Sequence, residues 1–288
     1  MKRVECAPSR LPAECLRLEE QIRDRVYGID RLSLVCDSQQ QPHLPASIKR
    51  HCGNVKVSRT PCEFQRSYPW QISLYQPTRR ALKALRTFLG RRFSVKIFYV
   101  ELACDFLVED ANDADAIKVF LLGHISPKSM RHPVVIQNGT AYFSRRSSEI
   151  GDKANKNLVM YSDKESKFAD DEINCCHIEW RLSGVRGLEF AGIRCVDDLI
   201  SFDHQRFWIN ALDVINLPKK ETLGELAVDR SGGSVSGSAL RKSANKLLDE
   251  YRVNGNFVLH NLLIDFGLIK SHVSRLDSDF VFKRGKCF

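Results

Sequence analysis

The sequence lacks the features of membrane and secreted proteins. No apolar run in its 288 residues approaches the roughly 20 that a helix needs to span a bilayer. The beginning of the chain, MKRVECAPSRLPAECLRLEE, contains no continuous apolar segment of the secretory type. With 43% hydrophobic and 27% charged residues, the composition is that of an ordinary globular protein, which excludes wholesale disorder and fibrous folds. We therefore expect a cytoplasmic protein with no membrane partner.

The ten cysteines lack the spacing of a zinc site. No two of them form a C-x-x-C pair, and the adjacent Cys175 and Cys176 would point to opposite faces of a strand. Because no secretory signal is present, we expect reduced thiols that serve as small buried apolar groups.

Acidic residues are scarce between Lys49 and Lys96. This stretch contains twelve basic residues against one acid, Glu63, so its charge of +11 exceeds the +9 of the whole chain. Six aromatic residues are interleaved with the cations. An unopposed basic block with aromatics favours nucleic acid as the partner. For any single residue the alternative is a solvated helix face above core aromatics.

Strands and helices alternate throughout the chain, which predicts an α+β fold. We expect an antiparallel sheet with helices packed on one face, formed by a domain over residues 1–217. The stretch 218–238 is rich in Gly and Ser and predicts a flexible linker. Residues 239–288 predict a small helical C-terminal region.

One helix has strong boundary signals. It is predicted over 78–89, with Pro77 and Thr78 at its start and Gly90 as its stop. Its apolar positions, Leu82, Leu85 and Leu89, should pack on the sheet. Its other face carries four of the candidate DNA contacts, which are Arg79, Arg80, Lys83 and Arg86.

Two predicted strands carry charged residues among apolar ones. Alternation places Tyr99, Glu101 and Asp105 on one face of the strand 97–106, and it places His177, Glu179 and Arg181 on one face of the strand 175–182. Carboxylates in apolar strands are costly unless they are paired, metal-bound or solvated. His177 and Glu179 could therefore bind one divalent ion together with a carboxylate from the neighbouring strand. Oxygen-rich ligands favour Mg²⁺ or Mn²⁺. The alternative is a sheet whose polar face meets water.

A tyrosine stands in a third strand-like run, LVMYSDK. Tyr161 precedes Asp163 and Lys164. A tyrosine beside a metal ion can attack a phosphodiester, because the ion and a nearby ammonium stabilise its phenolate. Most strand tyrosines are packing residues, so Tyr161 has that alternative reading.

Four motifs together resemble a known family. They are Tyr99-Val100-Glu101-Leu102-Ala103-Cys104-Asp105, Tyr142-Phe143-Ser144-Arg145-Arg146-Ser147, Leu158-Val159-Met160-Tyr161-Ser162-Asp163-Lys164 and His177-Ile178-Glu179-Trp180-Arg181-Leu182. In order and spacing they resemble the rolling-circle replication initiation factors of plasmids and phages, which are related to some conjugative relaxases. The chain departs from the family's pattern at Glu101, Ser144, Ser162 and His177.

The resemblance implies a metal-dependent DNA nickase. It implies Tyr161 as the nucleophile with Lys164 beside it, and a 5′-phosphotyrosyl intermediate with a released 3′-hydroxyl primer. Glu101 and Glu179 are the first choices as metal ligands, with Asp105 and His177 as further candidates. The implied partner is an origin of replication, followed by a host helicase, and a homodimer is left open. Arg91, Arg92, Arg145 and Arg146 complete the candidate DNA contacts.

Two other functions stay open on the same residues. The first is a protein of the same fold that binds origin DNA without cutting it. The second is a binder of single-stranded nucleic acid, for which the basic aromatic stretch would suffice. If a nucleophile is present but is not Tyr161, Tyr99 is the next choice, because it shares a strand face with Glu101.

Overall fold

The computed structural model describes residues 13–60, 66–90, 93–128, 130, 132–143, 155–231, 236–268 and 274–288, with the backbone alone at 13–16 and 231. Arg91, Arg92, Arg145 and Arg146, four of the predicted DNA contacts, lie outside these residues. Across the described ranges, no helix has the length and apolar character needed to cross a membrane. The cysteines with described side chains are free thiols.

Helices and strands alternate along the described chain. The helices are α1 (Ala13–Gln21), α2 (Ala46–Lys49), α3 (Arg79–Leu89), α4 (Ala111–His124), α5 (Gly184–Phe190), α6 (Val196–Ile200), α7 (His204–Ala211), α8 (Lys220–Ser231), α9 (Gly237–Glu250), α10 (Leu259–Phe266) and α11 (Ser278–Phe282). The strands are β1 (Asp24–Cys36), β2 (Asn54–Arg59), β3 (Trp70–Tyr75), β4 (Val95–Leu107), β5 (Ile125–Pro127), β6 (Val135–Gln137), β7 (Thr140–Tyr142), β8 (Lys156–Tyr161), β9 (Cys175–Ser183), β10 (Leu212–Val214), β11 (Arg252–Val253), β12 (Asn256–Phe257) and β13 (Lys286–Cys287).

A large sheet organises the molecule. Its strand order is β2-β3-β1-β4-β9-β8-β7-β6, and every neighbouring pair in that order is antiparallel. The short β13 adds a parallel pairing to the start of β1. The predicted α+β fold with an antiparallel sheet is confirmed.

One face of this sheet forms the main core. Alternation along β1, β4 and β9 sends Leu32, Leu102 and Trp180 to that face, where they are fully buried. Helix α3 packs on the same face through buried Leu82, Leu85 and Leu89, as the helical pattern predicts. The other face of the sheet carries the charged residues described below.

The β6–β7 hairpin follows its turn chemistry. Asn138 and Gly139 connect the two strands and have φ angles of 49° and 75°. Positive φ at both central residues is what a tight hairpin turn requires, and Asn-Gly adopts it at little cost. The sequence signal therefore places this hairpin correctly.

The C-terminal part differs in detail from the sequence expectation. The stretch 218–238, expected as a flexible linker, contains helix α8. Gly224 lets α8 approach α9 closely, because a β carbon at this position would lie 2.5 Å from the Leu240 carbonyl oxygen. The region 239–288 contains α9, α10 and α11 but ends in β13, which joins the main sheet. The domain boundaries themselves stay a prediction.

Candidate functional site

The predicted acidic residues share the second face of the sheet. In the pairing of β4 with β9, Asp105 lies opposite His177 and Glu101 lies opposite Arg181, with Glu179 between them opposite Ala103. The two glutamates therefore lie on neighbouring strands and on one face, as alternation predicts. Exposure is 9% for Glu101 and 1% or less for Asp105, His177 and Glu179. Such burial means that their charges must be satisfied within the site.

A β-bulge adds Asp30 to this face. Ile29 pairs with Leu102 and Arg31 pairs with Glu101, so β1 contains one more residue than β4 at this point. That extra residue, Asp30, is 5% exposed. Bulges interrupt strict alternation and re-aim a side chain. The sequence analysis missed Asp30 because it read the strand without considering a bulge; the available signal was an aspartate inside the apolar run 29–35.

Asp30, His177 and Glu179 form a group of possible metal ligands. Each offers one ligand atom, and these atoms lie within 4.8 Å of one another. His177 Nε2 and Glu179 Oε2 are 3.3 Å apart, and neither has a hydrogen-bond partner among the described residues. Buried polar atoms without a partner are costly, and a cation between them would satisfy both. Two carboxylates and one imidazole suit Mn²⁺ or Mg²⁺.

Asp105 contacts His177 and lies outside that group of three. Its Oδ1 accepts a hydrogen bond from His177 Nδ1 at 2.6 Å, and its Oδ2 accepts one from Ser166 Oγ at 2.5 Å. A carboxylate on one ring nitrogen fixes the imidazole so that the other nitrogen can bind a metal. Burial works to lower the pKa of His177, but the charges and ring contacts of Asp105 and Glu179 together outweigh it, and the pKa rises to about 10.

Glu101 also lies outside the group of three. Its Oε1 accepts a hydrogen bond from the Tyr99 hydroxyl at 2.5 Å and lies 3.9 Å from Arg181 Nε. Burial and then the charge of Glu179 raise the pKa of Glu101 to about 7. Arg181 binds Glu179 more closely, at 2.6 Å from Nη2 to Oε1. Although burial opposes it, His177 and Arg181 hold the pKa of Glu179 down at about 2.

The charges of this face leave room for one divalent cation. Its four carboxylates lie among three permanent cations, which are Arg181 on Glu179, Lys167 on Asp30, and Arg31 opposite Glu101 in the sheet. A histidine that binds a metal ion must give up its proton, and with His177 neutral and the carboxylates ionised one negative charge remains in excess. A divalent ion that replaces this proton would meet that excess charge, so the residues present fit such an ion.

Tyr161 is brought to the edge of this group. Its ring stacks on His177 with the centroids 4.5 Å apart, and Lys164 Nζ lies 5.0 Å from the Tyr161 centroid. Tyr161 is 7% exposed, and burial followed by the charge of Glu179 raises its pKa. The next residue, Ser162, hydrogen-bonds Asp115 and Lys118 on α4, so it turns away from the acidic face.

The basic face of α3 is not brought to this site. Arg79, Arg80, Lys83 and Arg86 are exposed, but α3 covers the opposite face of the sheet. Arg79 Nε donates to the Ile200 carbonyl at 2.6 Å, and Arg86 pairs with Asp197 at 2.6 Å. These cations and the acidic residues therefore belong to different layers of the fold.

A cation that the sequence analysis missed lies on the acidic face. Arg31 is held between two aromatic rings, with its guanidinium carbon 5.5 Å from the Tyr75 centroid and 5.3 Å from that of Tyr99. Within the described part of the chain it makes no ion pair. A guanidinium that makes no ion pair there, and that lies opposite Glu101 in the sheet, is free to bind an anion such as a phosphate.

Comparison with known proteins gives distant structural likenesses. No protein-family model matches the chain, and no curated protein matches it. The solved structure of the rolling circle replication initiator protein from Geobacillus stearothermophilus is similar, with a TM-score of 0.30 and 12% identity. The likeness covers 81% of this chain and 99% of that one. At that TM-score it supports no conclusion about function.

Proposed function

We propose that the chain is a metal-dependent DNA nickase that starts replication from an origin. The observation that carries this proposal is the stacking of Tyr161 on His177, which is itself one of three buried metal-ligand candidates. His177 thus contacts the candidate nucleophile and is also a candidate metal ligand. The segments around Tyr161 and His177 also resemble the tyrosine and strand motifs of rolling-circle initiators, which supports the proposal.

The roles of the side chains follow from their contacts. Asp30, His177 and Glu179 would hold Mg²⁺ or Mn²⁺, which when bound supplies Lewis acidity toward a phosphate oxygen. Asp105 orients His177, and Arg181 orients Glu179. The Tyr161 oxygen attacks the phosphorus and loses its proton, the bond from phosphorus to the 3′ oxygen breaks, and the leaving 3′ oxygen takes up one proton in exchange. The products are a 5′-phosphotyrosyl link and a 3′-hydroxyl.

Lys164 and Arg31 have electrostatic roles in this scheme. Because burial and Glu179 raise the pKa of Tyr161, its phenolate needs nearby positive charge, and the Lys164 ammonium lies over its ring. Arg31 would bind a phosphate of the strand that crosses the acidic face. Glu101, through Tyr99, borders the same surface. An origin as the DNA partner, a helicase and a homodimer stay predictions.

The burial of Tyr161 favours a second candidate function. At 7% exposure the tyrosine is nearly closed off from solvent, which suits a packing residue as well as a nucleophile. On that reading the chain binds origin DNA or single-stranded nucleic acid and cuts neither. Tyr99, which is less buried and donates to Glu101, is the alternative nucleophile.

Covalent capture of DNA separates these functions. We would incubate the protein and Mn²⁺ with supercoiled plasmids that carry DNA from the replicon encoding this chain. The proposal predicts open circles and protein linked to 5′ ends. Tyr161→Phe removes one hydroxyl and keeps the ring, so it should abolish the link and preserve DNA binding. Tyr99→Phe is the matched control and should still form the covalent link.

Other outcomes contradict the proposal. A covalent adduct that persists in Tyr161→Phe and disappears in Tyr99→Phe would assign the nucleophile to Tyr99. DNA binding without nicking by the wild type, at any Mn²⁺ or Mg²⁺ concentration and on DNA that it binds specifically, would favour the non-cutting function.

A further inference from the structure

A lysine forms an ion pair with one of the candidate metal ligands, Asp30. Lys167 lies on the loop between β8 and β9, and its Nζ is 2.6 Å from Asp30 Oδ2. Its side chain is 43% exposed and that of Asp30 only 7%, so the ammonium reaches the acidic group from the solvent side. The charges of Glu179 and Glu101 also act on the ammonium.

The neighbours of Lys167 fix its position. Ser166 donates to Asp105 on the sheet. On the other side, Phe168 lies against Gly28 of β1 so closely that a β carbon at residue 28 would come within 2.4 Å of the ring. The loop is therefore attached to the acidic face on both sides of the lysine. Such attachment distinguishes Lys167 from an ordinary surface lysine.

Both carboxylate oxygens of Asp30 are already engaged. Oδ2 binds Lys167, and Oδ1 accepts a hydrogen bond from the Gln76 amide. Since each carboxylate oxygen has two lone pairs, a metal ion that uses Asp30 must either share an oxygen with one of these partners or displace that partner. The neutral amide does not repel a divalent ion, whereas the ammonium does. The lysine is the partner that would leave.

We propose that Lys167 is the counter-cation of this site in the absence of metal, and that its ammonium competes with a divalent ion for Asp30. Metal binding then releases the ammonium to solvent. This inference rests on the metal site of the proposed function. It adds that a cation of the chain is already paired with Asp30 in the free site, which weakens the affinity for metal.

Metal titration of the full chain without DNA tests the inference. Mn²⁺ affinity would be measured by calorimetry for the wild type, Lys167→Met, Lys167→Arg and Lys128→Met. Lys128 pairs with Asp213 away from the site, so it is the matched control for loss of one lysine–aspartate pair. Lys167→Met should bind Mn²⁺ more tightly, by on the order of tenfold. Lys167→Arg and Lys128→Met should stay near the wild type.

A measurement on the wild-type protein keeps the test independent of variant folding. Acetylation of Lys167 by limiting acetic anhydride would be followed by mass spectrometry with and without Mg²⁺. Release from Asp30 should increase the labelling of Lys167 several-fold, and that of Lys128 should not change.

The outcomes distinguish this inference from the proposed function. If the wild type binds Mn²⁺ and folded Lys167→Met binds it equally or more weakly, Lys167 does not compete with the metal ion for Asp30. The metal site of the proposed function would then still be supported. Unchanged labelling of Lys167 at saturating Mg²⁺ would overturn the inference in the same way. If neither protein binds Mn²⁺, both the inference and the metal-dependent function are wrong.

Discussion

The contact between Asp105 and His177 offers a sharp test of the metal site. Asp105→Asn keeps the size of the side chain, and an amide oxygen can still accept from His177 Nδ1, so mainly the charge is lost. Asp105 is fully buried, and its two oxygens serve His177 and Ser166 at 2.6 and 2.5 Å. The substitution therefore acts on the orientation and basicity of the imidazole without opening a cavity.

The expected effect follows from the role of such partners. Loss of a carboxylate that supports a metal-binding histidine usually weakens metal affinity about 10- to 100-fold, which corresponds to roughly 1.4–2.7 kcal/mol. Calorimetric titration with Mn²⁺ would measure it. Asp213→Asn is the control, because Asp213 is a partly exposed, ion-paired aspartate on β10, outside the site.

Wild-type affinity in a folded Asp105→Asn protein would refute this reasoning. It would mean that His177 either is not a ligand or is held by the Tyr161 ring alone. A loss of affinity in Asp213→Asn of the same size would refute it differently, since the effect would then come from net charge rather than from the contact.

Two further predictions concern DNA binding and acid stability. Substituting Gln for Arg79, Arg80, Lys83 and Arg86 should weaken binding at all DNA sequences. The slope of log binding constant against log salt concentration, measured by fluorescence anisotropy, should fall by roughly 0.9 per lost phosphate contact. An unchanged slope in this variant, with a reduced slope in Arg31→Gln, would place the DNA on the acidic face. Burial lowers the pKa of His204 to about 4, so protonation of this residue favours the unfolded state. The contribution of neutral His204 to folding stability is therefore complete above about pH 6.5 and is lost as the pH falls toward 4. Urea unfolding should show about 2 kcal/mol less stability at pH 5 than at pH 7 from this residue, and His204→Phe should lack that difference; equal pH dependence in both proteins would contradict it.

Strand alternation explains what the sequence could predict about the site. Glu101, Asp105, His177 and Glu179 fall on one face because β4 and β9 are regular where they pair. The same rule could not find Asp30, since the bulge in β1 depends on how β1 pairs with β4 and not on local residue types. Strand β1 therefore contributes a candidate ligand, Asp30, that strict alternation does not predict.

Composition was a weaker guide than periodicity for the rest. The helical pattern correctly buries Leu82, Leu85 and Leu89, but it carries no information on which sheet face α3 covers. The sequence analysis could therefore name the cations of α3 as candidate DNA contacts, but not that they lie on the layer opposite the acidic residues. Likewise, the Gly and Ser content of 218–238 suggested a linker, whereas one of its glycines, Gly224, allows the close approach of α8 to α9.

The pairing of β1 with β13 has a consequence for how the chain folds. Tyr27 on β1 donates its hydroxyl to the carbonyl of Phe282, 255 residues further along the chain. Contacts between segments so distant in sequence form late, because closing a long loop costs entropy before any contact repays it. During synthesis β3 and β4 follow β1 closely, whereas β13 leaves the ribosome much later. We therefore expect refolding in which the strand that carries Asp30 is completed slowly, and metal-binding capacity should recover after most of the helical signal.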